Sequence, residues 1–199
     1  MTRMWGSSFE MLAWYFKNGQ VSSQPRGDLD KFDFKAAAAE QPDSNGTYAI
    51  GGETMTVKYA NGKERAARYE AKDRGCFNWD GGLFCPARPF DKGVKLDGVF
   101  TGGASTGGAA SSMTLTLSAN GQYKLSSVGS ASTTSPRSTA TVSGQGVQTG
   151  TYELTGTQLV LKPTEGQPRK VLVFQYDDGS KTPMPHRMFF DGGMLKRSQ

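Results

Sequence analysis

The stretch Gly46–Tyr69, GTYAIGGETMTVKYANGKERAARY, occurs in this chain a second time. It aligns without a gap with Gly150–Val173, GTYELTGTQLVLKPTEGQPRKVLV, at a constant offset of 104 residues. The shared positions are glycines, turn residues and alternating apolar residues, which is the pattern of a β-hairpin rather than of a helix. The repeat therefore predicts two similar β-rich units in one chain of 199 residues.

Two shorter matches flank this stretch. Asn18-Gly19-Gln20 matches Asn120-Gly121-Gln122 at an offset of 102, and Asp80-Gly81-Gly82 matches Asp191-Gly192-Gly193 at an offset of 111. The three matches keep one order, and their offsets drift only by loop lengths. This order indicates internal duplication of a unit of about 100 residues, a usual domain size.

Each copy carries about eight short strand patterns separated by turn dipeptides such as Asn61-Gly62. Asn-Gly and Asp-Gly accept the positive φ values that tight hairpins require. Eight up-and-down strands must close into a barrel or leave two exposed edges. We therefore predict an all-β chain with two tandem antiparallel, lipocalin-like β-barrels, in residues 1–90 and 91–199. The alternatives are one larger pseudo-symmetric barrel or a two-sheet sandwich.

Three segments depart from the strand pattern. Phe34–Glu40 predicts a helix that stops before Pro42. Residues 129–147, rich in Ser, Thr and Gly, are too polar to pack a core, so we expect a mobile loop there. We expect the glycine-rich residues 102–108 to be a second flexible loop.

Alternation along the strand expected near 111–118 turns Met113, Leu115 and Leu117 inward. At the offset of 102, the equivalent strand near 9–16 turns a cluster of large apolar side chains outward: Leu12, Trp14 and Phe16. Two explanations stay open. The cluster is packed internally, for example by the Phe32–Ala39 segment or the other copy, or it is an interaction patch for a partner or ligand.

The only two cysteines, Cys76 and Cys85, flank one expected hairpin. If Asp80-Gly81 is its two-residue loop, Trp79 lies opposite Gly82, and Cys76 falls opposite Cys85 on a non-hydrogen-bonded pair. Cα atoms in such a pair are about 4.5 Å apart, within the range of a disulfide. We predict a cross-strand disulfide, with two reduced, buried thiols as the alternative.

Motifs for catalysis are missing from the sequence. His186 is the single histidine, and no Gly-x-Ser-x-Gly occurs. The acidic group Asp28, Asp30 and Asp33 fits turn propensity better than a calcium loop. We therefore expect no enzyme, no cofactor and no metal.

Charge and hydropathy limit the possible partners and the cellular location. The net charge of +5 comes from scattered basic residues, which is not the clustered footprint of a nucleic-acid-binding protein. No apolar run approaches the roughly 20 residues of a membrane helix. Glu10 interrupts the apolar core that a signal peptide would need, so we expect the cytoplasm as the default location. A Cys76–Cys85 disulfide would instead indicate an oxidising compartment.

The Gly-Thr-Tyr, Asn-Gly and Asp-Gly-Gly pattern resembles that of bacterial lipocalin-like β-rich repeat proteins. The similarity covers nearly all of the chain, but its motifs are turn and core signatures. The resemblance implies a fold and carries over no functional residues.

These observations predict a non-enzymatic binding protein. Its function would be protein assembly or partner recognition, through the Leu12, Trp14 and Phe16 face or through the long loops. The alternative is a lipocalin-like carrier of a small apolar ligand. We expect a protein partner or self-association, and neither nucleic acid nor a membrane span.

Overall fold

Antiparallel strands make up most of this chain, and the prediction of an all-β protein is confirmed. The structure, a computed structural model, describes residues 2–5, 8–91, 93–106, 109–135, 138–176 and 185–198. The chain divides into two compact units, Met1–Ala87 and Arg88–Gln199.

The first unit is a single nine-stranded sheet. Its strands are β1 (Thr2–Trp5), β2 (Ser8–Met11), β3 (Tyr15–Lys17), β4 (Gln20–Ser22), β5 (Asn45–Gly51), β6 (Thr54–Tyr59), β7 (Glu64–Ala71), β8 (Phe77–Trp79) and β9 (Gly82–Phe84). They lie in the order β2-β1-β9-β8-β7-β6-β5-β4-β3, so β2 and β3 are the edges.

The prediction of a closed eight-stranded barrel is therefore wrong for the first unit. The strand expected near 9–16 is interrupted between Met11 and Tyr15, and its halves pair with different neighbours, β1 and β4. The sheet is nevertheless curled, because Phe16 on the edge strand β3 contacts Phe77 and Phe84 on β8 and β9.

The core of the first unit is aromatic. Trp79 is 1% exposed, and its indole nitrogen donates to the carbonyl of Met55 at 2.8 Å. Phe84 stacks on Phe77 with ring centroids 4.7 Å apart. The buried residues of this core are Val21, Met55, Val57, Trp79 and Phe84.

One helix, α1 (Phe34–Glu40), interrupts the first unit as predicted. Asp33 caps its start by accepting from the amides of Lys35 and Ala36 at 2.9 and 3.0 Å. At its end, the buried Asn45 side chain donates to the carbonyls of Ala37 and Gln41. Asn45 is the first residue of β5, so these bonds attach the helix to the sheet.

The second unit is a closed barrel, which confirms the barrel prediction for this part of the chain. Its strands are β10 (Gly98–Thr106), β11 (Ala109–Leu117), β12 (Gln122–Ser135), β13 (Ser138–Thr155), β14 (Gln158–Pro163), β15 (Arg169–Gln175), β16 (Arg187–Phe190) and β17 (Gly193–Arg197). Each pairs with the next in the chain, and β17 returns to β10, where Phe100 lies opposite Arg197.

Fifteen buried apolar side chains form one cluster in the second unit. Two of them, Phe90 and Leu96, come from the segment that precedes β10, so this segment is part of the core. The hydroxyl of Tyr152 lies 2.9 Å from both the amide nitrogen and the carbonyl oxygen of Leu96. A further carbonyl, that of Ser118, lies 3.2 Å from the same hydroxyl. Tyr152 therefore fastens the segment to the barrel wall.

Corresponding strands in the two units pair in the same register. Tyr48 lies opposite Val57, as Tyr152 lies opposite Leu161. The amide of Tyr48 donates to the carbonyl of Gly19 at 2.8 Å, and the amide of Tyr152 donates to Gly121 at the same distance. These shared pairings involve the residues that define the sequence repeat.

A shared steric constraint explains the repeated glycine that opens this motif. A Cβ atom on Gly46 would overlap the carbonyl oxygen of Lys58 on the next strand, and one on Gly150 would overlap that of Lys162. Only glycine permits this close backbone approach.

Both predictions of a polar loop in the second unit are wrong where the structure describes the residues. Residues 129–135 and 138–147 belong to β12 and β13, which pair from Ser135 and Ser138 down to Gln122 and Thr151. Residues 102–106 belong to β10. Residues 107–108 and 136–137 lie outside the described part of the chain. An antiparallel ladder satisfies the backbone without a hydrophobic core, so polar composition did not prevent strand formation.

We expect Tyr152→Phe to lower the stability of the second unit by about 1–3 kcal/mol, because the buried amide of Leu96 loses its acceptor. Hydrogen exchange of peptides from residues 93–100 would measure the loss. Tyr123→Phe is the control, because the Tyr123 hydroxyl donates to the exposed Gln148 side chain. Equal effects of the two substitutions would contradict the role of Tyr152.

We also expect Tyr152→Phe to change how the stability of the second unit depends on pH. Burial raises the pKa of Tyr152, although the backbone hydrogen bond with Leu96 opposes this and Asp97 adds to it. The stabilisation from the neutral hydroxyl is therefore complete below the ordinary tyrosine pKa of about 10. It is lost as the pH rises through the folded-state value. Above pH 10 the wild type should lose stability more steeply than Tyr152→Phe.

Candidate functional site

The structure does not bring Leu12, Trp14 and Phe16 together on one exposed face. Trp14 and Phe16 pack against the aromatic core of the first unit, with Trp14 5.7 Å from Trp79 between ring centroids. Leu12 is 36% exposed. The prediction that Trp14 and Phe16 point away from the core is therefore wrong. Both side chains are packed inside the first unit.

The length of one hairpin loop explains why Trp14 and Phe16 face the opposite way from the prediction. In the first unit Phe16 lies opposite Val21, across the two-residue loop Asn18-Gly19. In the second unit Leu117 lies opposite Tyr123, which makes that loop one residue longer. Phe16 therefore corresponds to Leu117, at an offset of 101 rather than 102. A shift of one residue turns every side chain of a strand to the opposite face.

Tyr15, between the two inward side chains, faces the opposite side of the sheet and is also covered. Its ring stacks on Phe34 with centroids 5.3 Å apart and meets Phe32 edge-on at 5.6 Å. Its hydroxyl donates to the carbonyl of Leu29 at 3.0 Å. Phe32 and Phe34 thus cover Tyr15, whereas Trp14 and Phe16 pack on the opposite side of the strand, against the aromatic core.

The predicted disulfide between Cys76 and Cys85 is present, with Cα atoms 4.2 Å apart. The hairpin pairs Trp79 with Gly82 and Phe77 with Phe84, as the sequence predicted. Asp80, in the two-residue loop, has a φ of 51°, which fits the turn chemistry expected there. The disulfide fastens β8 to β9 next to the stacked Phe77 and Phe84.

The most unusual surface of the described structure is the outer part of the β12–β13 hairpin. We call residues 126–135 and 138–147 the ribbon. They contain no Asp, Glu, Lys or Arg. Val128 is 51% exposed and Val147 is 68% exposed. Pairing places Gln145 opposite Val128 and Val147 opposite Ser126, so these four side chains share one face.

The ribbon has an unpaired edge on β13. Within the described residues, the outer side of β13 is paired by β14 only from Gly150 to Thr155. The eleven residues 138–148 therefore form a free edge, about twice the usual length of a whole strand. Edge strands are commonly protected by lysine, proline or a bulge. The sequence 138–148 contains no lysine or proline.

Strand geometry shows which backbone groups the free edge presents. Along an antiparallel strand, the backbone groups of successive residues point alternately to one neighbouring strand and to the other side. The amide of Thr164 donates to the carbonyl of Thr149 at 2.8 Å, which confirms that odd-numbered residues face away from β12. Five residues direct their N–H and C=O groups outward along the free edge: Thr139, Thr141, Ser143, Gln145 and Val147.

The single histidine lies elsewhere on the second unit. His186 lines an open depression of about 390 Å³ together with Thr101, Lys196, Arg197 and Ser198. The described lining residues carry two positive charges and no carboxylate, so they lack the acid of a Ser-His-Asp arrangement.

Comparisons of this chain with protein-family models, curated protein sequences and solved structures return no match. Within the described residues, no helix has the length and apolar character needed to cross a membrane. No cluster of three or more His, Cys, Asp or Glu residues in that part of the chain could hold a metal ion. Function is therefore inferred from local geometry, in which the free edge of β13 is the most distinctive feature.

Sequence reasoning missed the ribbon, although the sequence contained a signal for it. Residues 138–149 contain three threonines and two valines, and both residue types favour strands. Pro136-Arg137 divides two such stretches of similar length, as a hairpin turn would. Low hydrophobicity outweighed this signal in the prediction of a loop.

We expect Trp14→Ala to destabilise the first unit by about 3 kcal/mol, because Trp14 contacts Phe16, Trp79 and Phe84 in its core. Urea unfolding can be followed by tryptophan fluorescence, which reports on this unit alone because all three tryptophans lie within residues 1–87. The control Leu12→Ala should cost less than about 1 kcal/mol. An unchanged unfolding midpoint for Trp14→Ala would show that the ring is not packed internally.

We expect the double substitution Cys76→Ser and Cys85→Ser to lower the stability of the first unit by about 2–3 kcal/mol, because the unfolded chain gains freedom when the cross-link is lost. The same fluorescence measurement checks this. The second unit has no cysteine, so its hydrogen exchange serves as the control. Two titratable thiols in freshly purified wild-type protein would contradict the disulfide.

Proposed function

We propose that this is a non-enzymatic binding protein that recognises a protein partner by accepting an extended strand along the free edge of β13. One observation carries the proposal. The edge presents the outward-facing backbone groups of five alternate residues, and neither charge nor proline blocks it. Strand addition to an exposed edge is a common mode of peptide recognition, in which main-chain hydrogen bonds supply affinity.

The exposed side chains beside the edge are suited to contribute specificity. An incoming strand would lie next to the exposed side chains of Gln145 and Val147, and Val128 is on the same face one strand further away. The absence of charge along the edge favours a partner strand that is itself uncharged. A charged side chain placed there would lose hydration and find no ionic partner.

Two further inferences accompany this proposal. We infer that the two units descend from one duplicated, lipocalin-like module, because strand registers and the close approach of Gly46 and Gly150 recur in both. We also infer that the protein functions in an oxidising compartment, where the Cys76–Cys85 disulfide would persist.

A second candidate function is the carriage of a small apolar ligand, and a feature of the first unit favours it. Seven apolar side chains around its core are only partly buried, among them Trp14, Tyr48 and Tyr69. The buried indole nitrogen of Trp14 has no acceptor among the described residues. In the second unit, in contrast, fifteen apolar side chains are buried in one cluster.

The proposed strand addition is tested by Gln145→Pro, with Gln145→Ala as the matched control. Both variants remove the amide side chain, but only proline removes the outward N–H, which the β12–β13 ladder does not use. Peptides selected for binding to the wild type from an uncharged extended-peptide library should bind Gln145→Pro about tenfold more weakly and Gln145→Ala almost normally.

Equal binding to both variants would exclude recognition at the edge. Ligand carriage in the first unit would be insensitive to both substitutions, because Gln145 lies in the second unit. Circular dichroism should show the same strand content in all three proteins, since the proline occupies a position that donates to no neighbouring strand.

A further inference from the structure

We propose that the strand accepted at the free edge is β13 of a second copy of this chain, so that the protein is a two-fold symmetric dimer joined edge to edge. This inference rests on the proposed function and specifies its partner. Two-fold interfaces place the same surface of both subunits in contact, so the surface must be complementary to itself.

The free edge meets this condition in the antiparallel orientation. A two-fold axis beside Ser143 places Thr141 opposite Gln145 of the other copy, and Thr139 opposite Val147. In this register all five outward-facing residues of one copy meet the five of the other. Because each such pair exchanges two hydrogen bonds, about ten bonds would form. No other two-fold register uses every outward-facing group.

Charge favours self-association at this place. Each copy has a net charge of +5, so two copies repel over most of their surfaces. Residues 138–148 carry no charge at all, and therefore two of these edges approach without opposing like charges. The exposed Val147 on the edge strand would bury apolar surface on pairing.

The other side of the same sheet is less suitable for pairing. β10 is bonded to β17 at Phe100 and Thr101, and the backbone of Met194 packs closely against Gly102. Only residues 103–106 of β10 extend beyond this contact with β17. Pairing through β13 would join the four strands β10 to β13 of each copy into one continuous sheet.

A charge-swap experiment tests the dimer and its register. Thr141→Lys combined with Gln145→Lys would place lysine opposite lysine twice across the axis, while within one copy the two positions lie four residues apart on the same strand. The dimer dissociation constant should rise about tenfold. Thr141→Lys combined with Gln145→Glu should restore it, because each lysine then faces a glutamate.

Sedimentation velocity measures the association. The wild type should sediment at twice the chain mass of 21.4 kDa, the double-lysine variant should dissociate at lower concentration, and the lysine–glutamate variant should behave as the wild type. A wild type that stays monomeric at every concentration, or a dimer that the double-lysine variant leaves unchanged, would overturn the inference.

A cysteine scan gives a second, independent measure of register. Ser143→Cys should form an intermolecular disulfide under mild oxidation, because paired Cα atoms at the axis are about 5.5 Å apart. Ser138→Cys should not, because its equivalent in the other copy lies ten residues away along the paired strands. Equal cross-linking of the two variants would contradict the register.

The outcomes separate this inference from the proposed function. A monomeric wild type whose peptide binding is still lost in Gln145→Pro would refute only the second copy as partner. Peptide binding that survives Gln145→Pro, together with a dimer that survives the double-lysine substitution, would refute both.

Discussion

A strand carries backbone N–H and C=O groups along both of its sides, and the way these groups find partners shapes both units of the protein. In the second unit, β17 returns to β10 and closes the ring, so the barrel wall has no edge. β13 is much longer than its neighbour β14, and its outer half therefore leaves the wall with one side unpaired. Barrel closure and the free edge are two results of the same constraint, decided by strand length.

The two units bury their interiors with different chemistry. The second unit fills its barrel mainly with aliphatic side chains and the anchored Tyr152. The first unit relies on aromatic rings, with Trp14, Phe16 and Trp79 in a core that is only partly shielded from solvent. Its short strands β8 and β9 pair over only three residues each, and the Cys76–Cys85 disulfide adds a covalent cross-link between the segments that flank them.

The binding site proposed at the free edge would use backbone groups rather than side chains. Such a site requires no catalytic or metal-binding motif in the sequence. An uncharged edge of this length exposes the protein to uncontrolled association unless it has a defined partner. Pairing with a second copy would satisfy the outward-facing groups and bury the edge at the same time.

The sequence alone determined the all-β class, the hairpin turns, the helix at Phe34–Glu40 and the cross-strand disulfide, because each depends on residues close together in the chain. Turn type follows from Asn-Gly and Asp-Gly, and hairpin register follows from turn length. Only the tertiary structure decided that Trp14 and Phe16 face inward, since one extra residue in the second unit's hairpin loop inverts the comparison between the two units. It alone showed that the first sheet has two edges and that residues 138–148 form a strand with an unpaired side. Pairing between strands is a property of their neighbours in space, which composition does not encode.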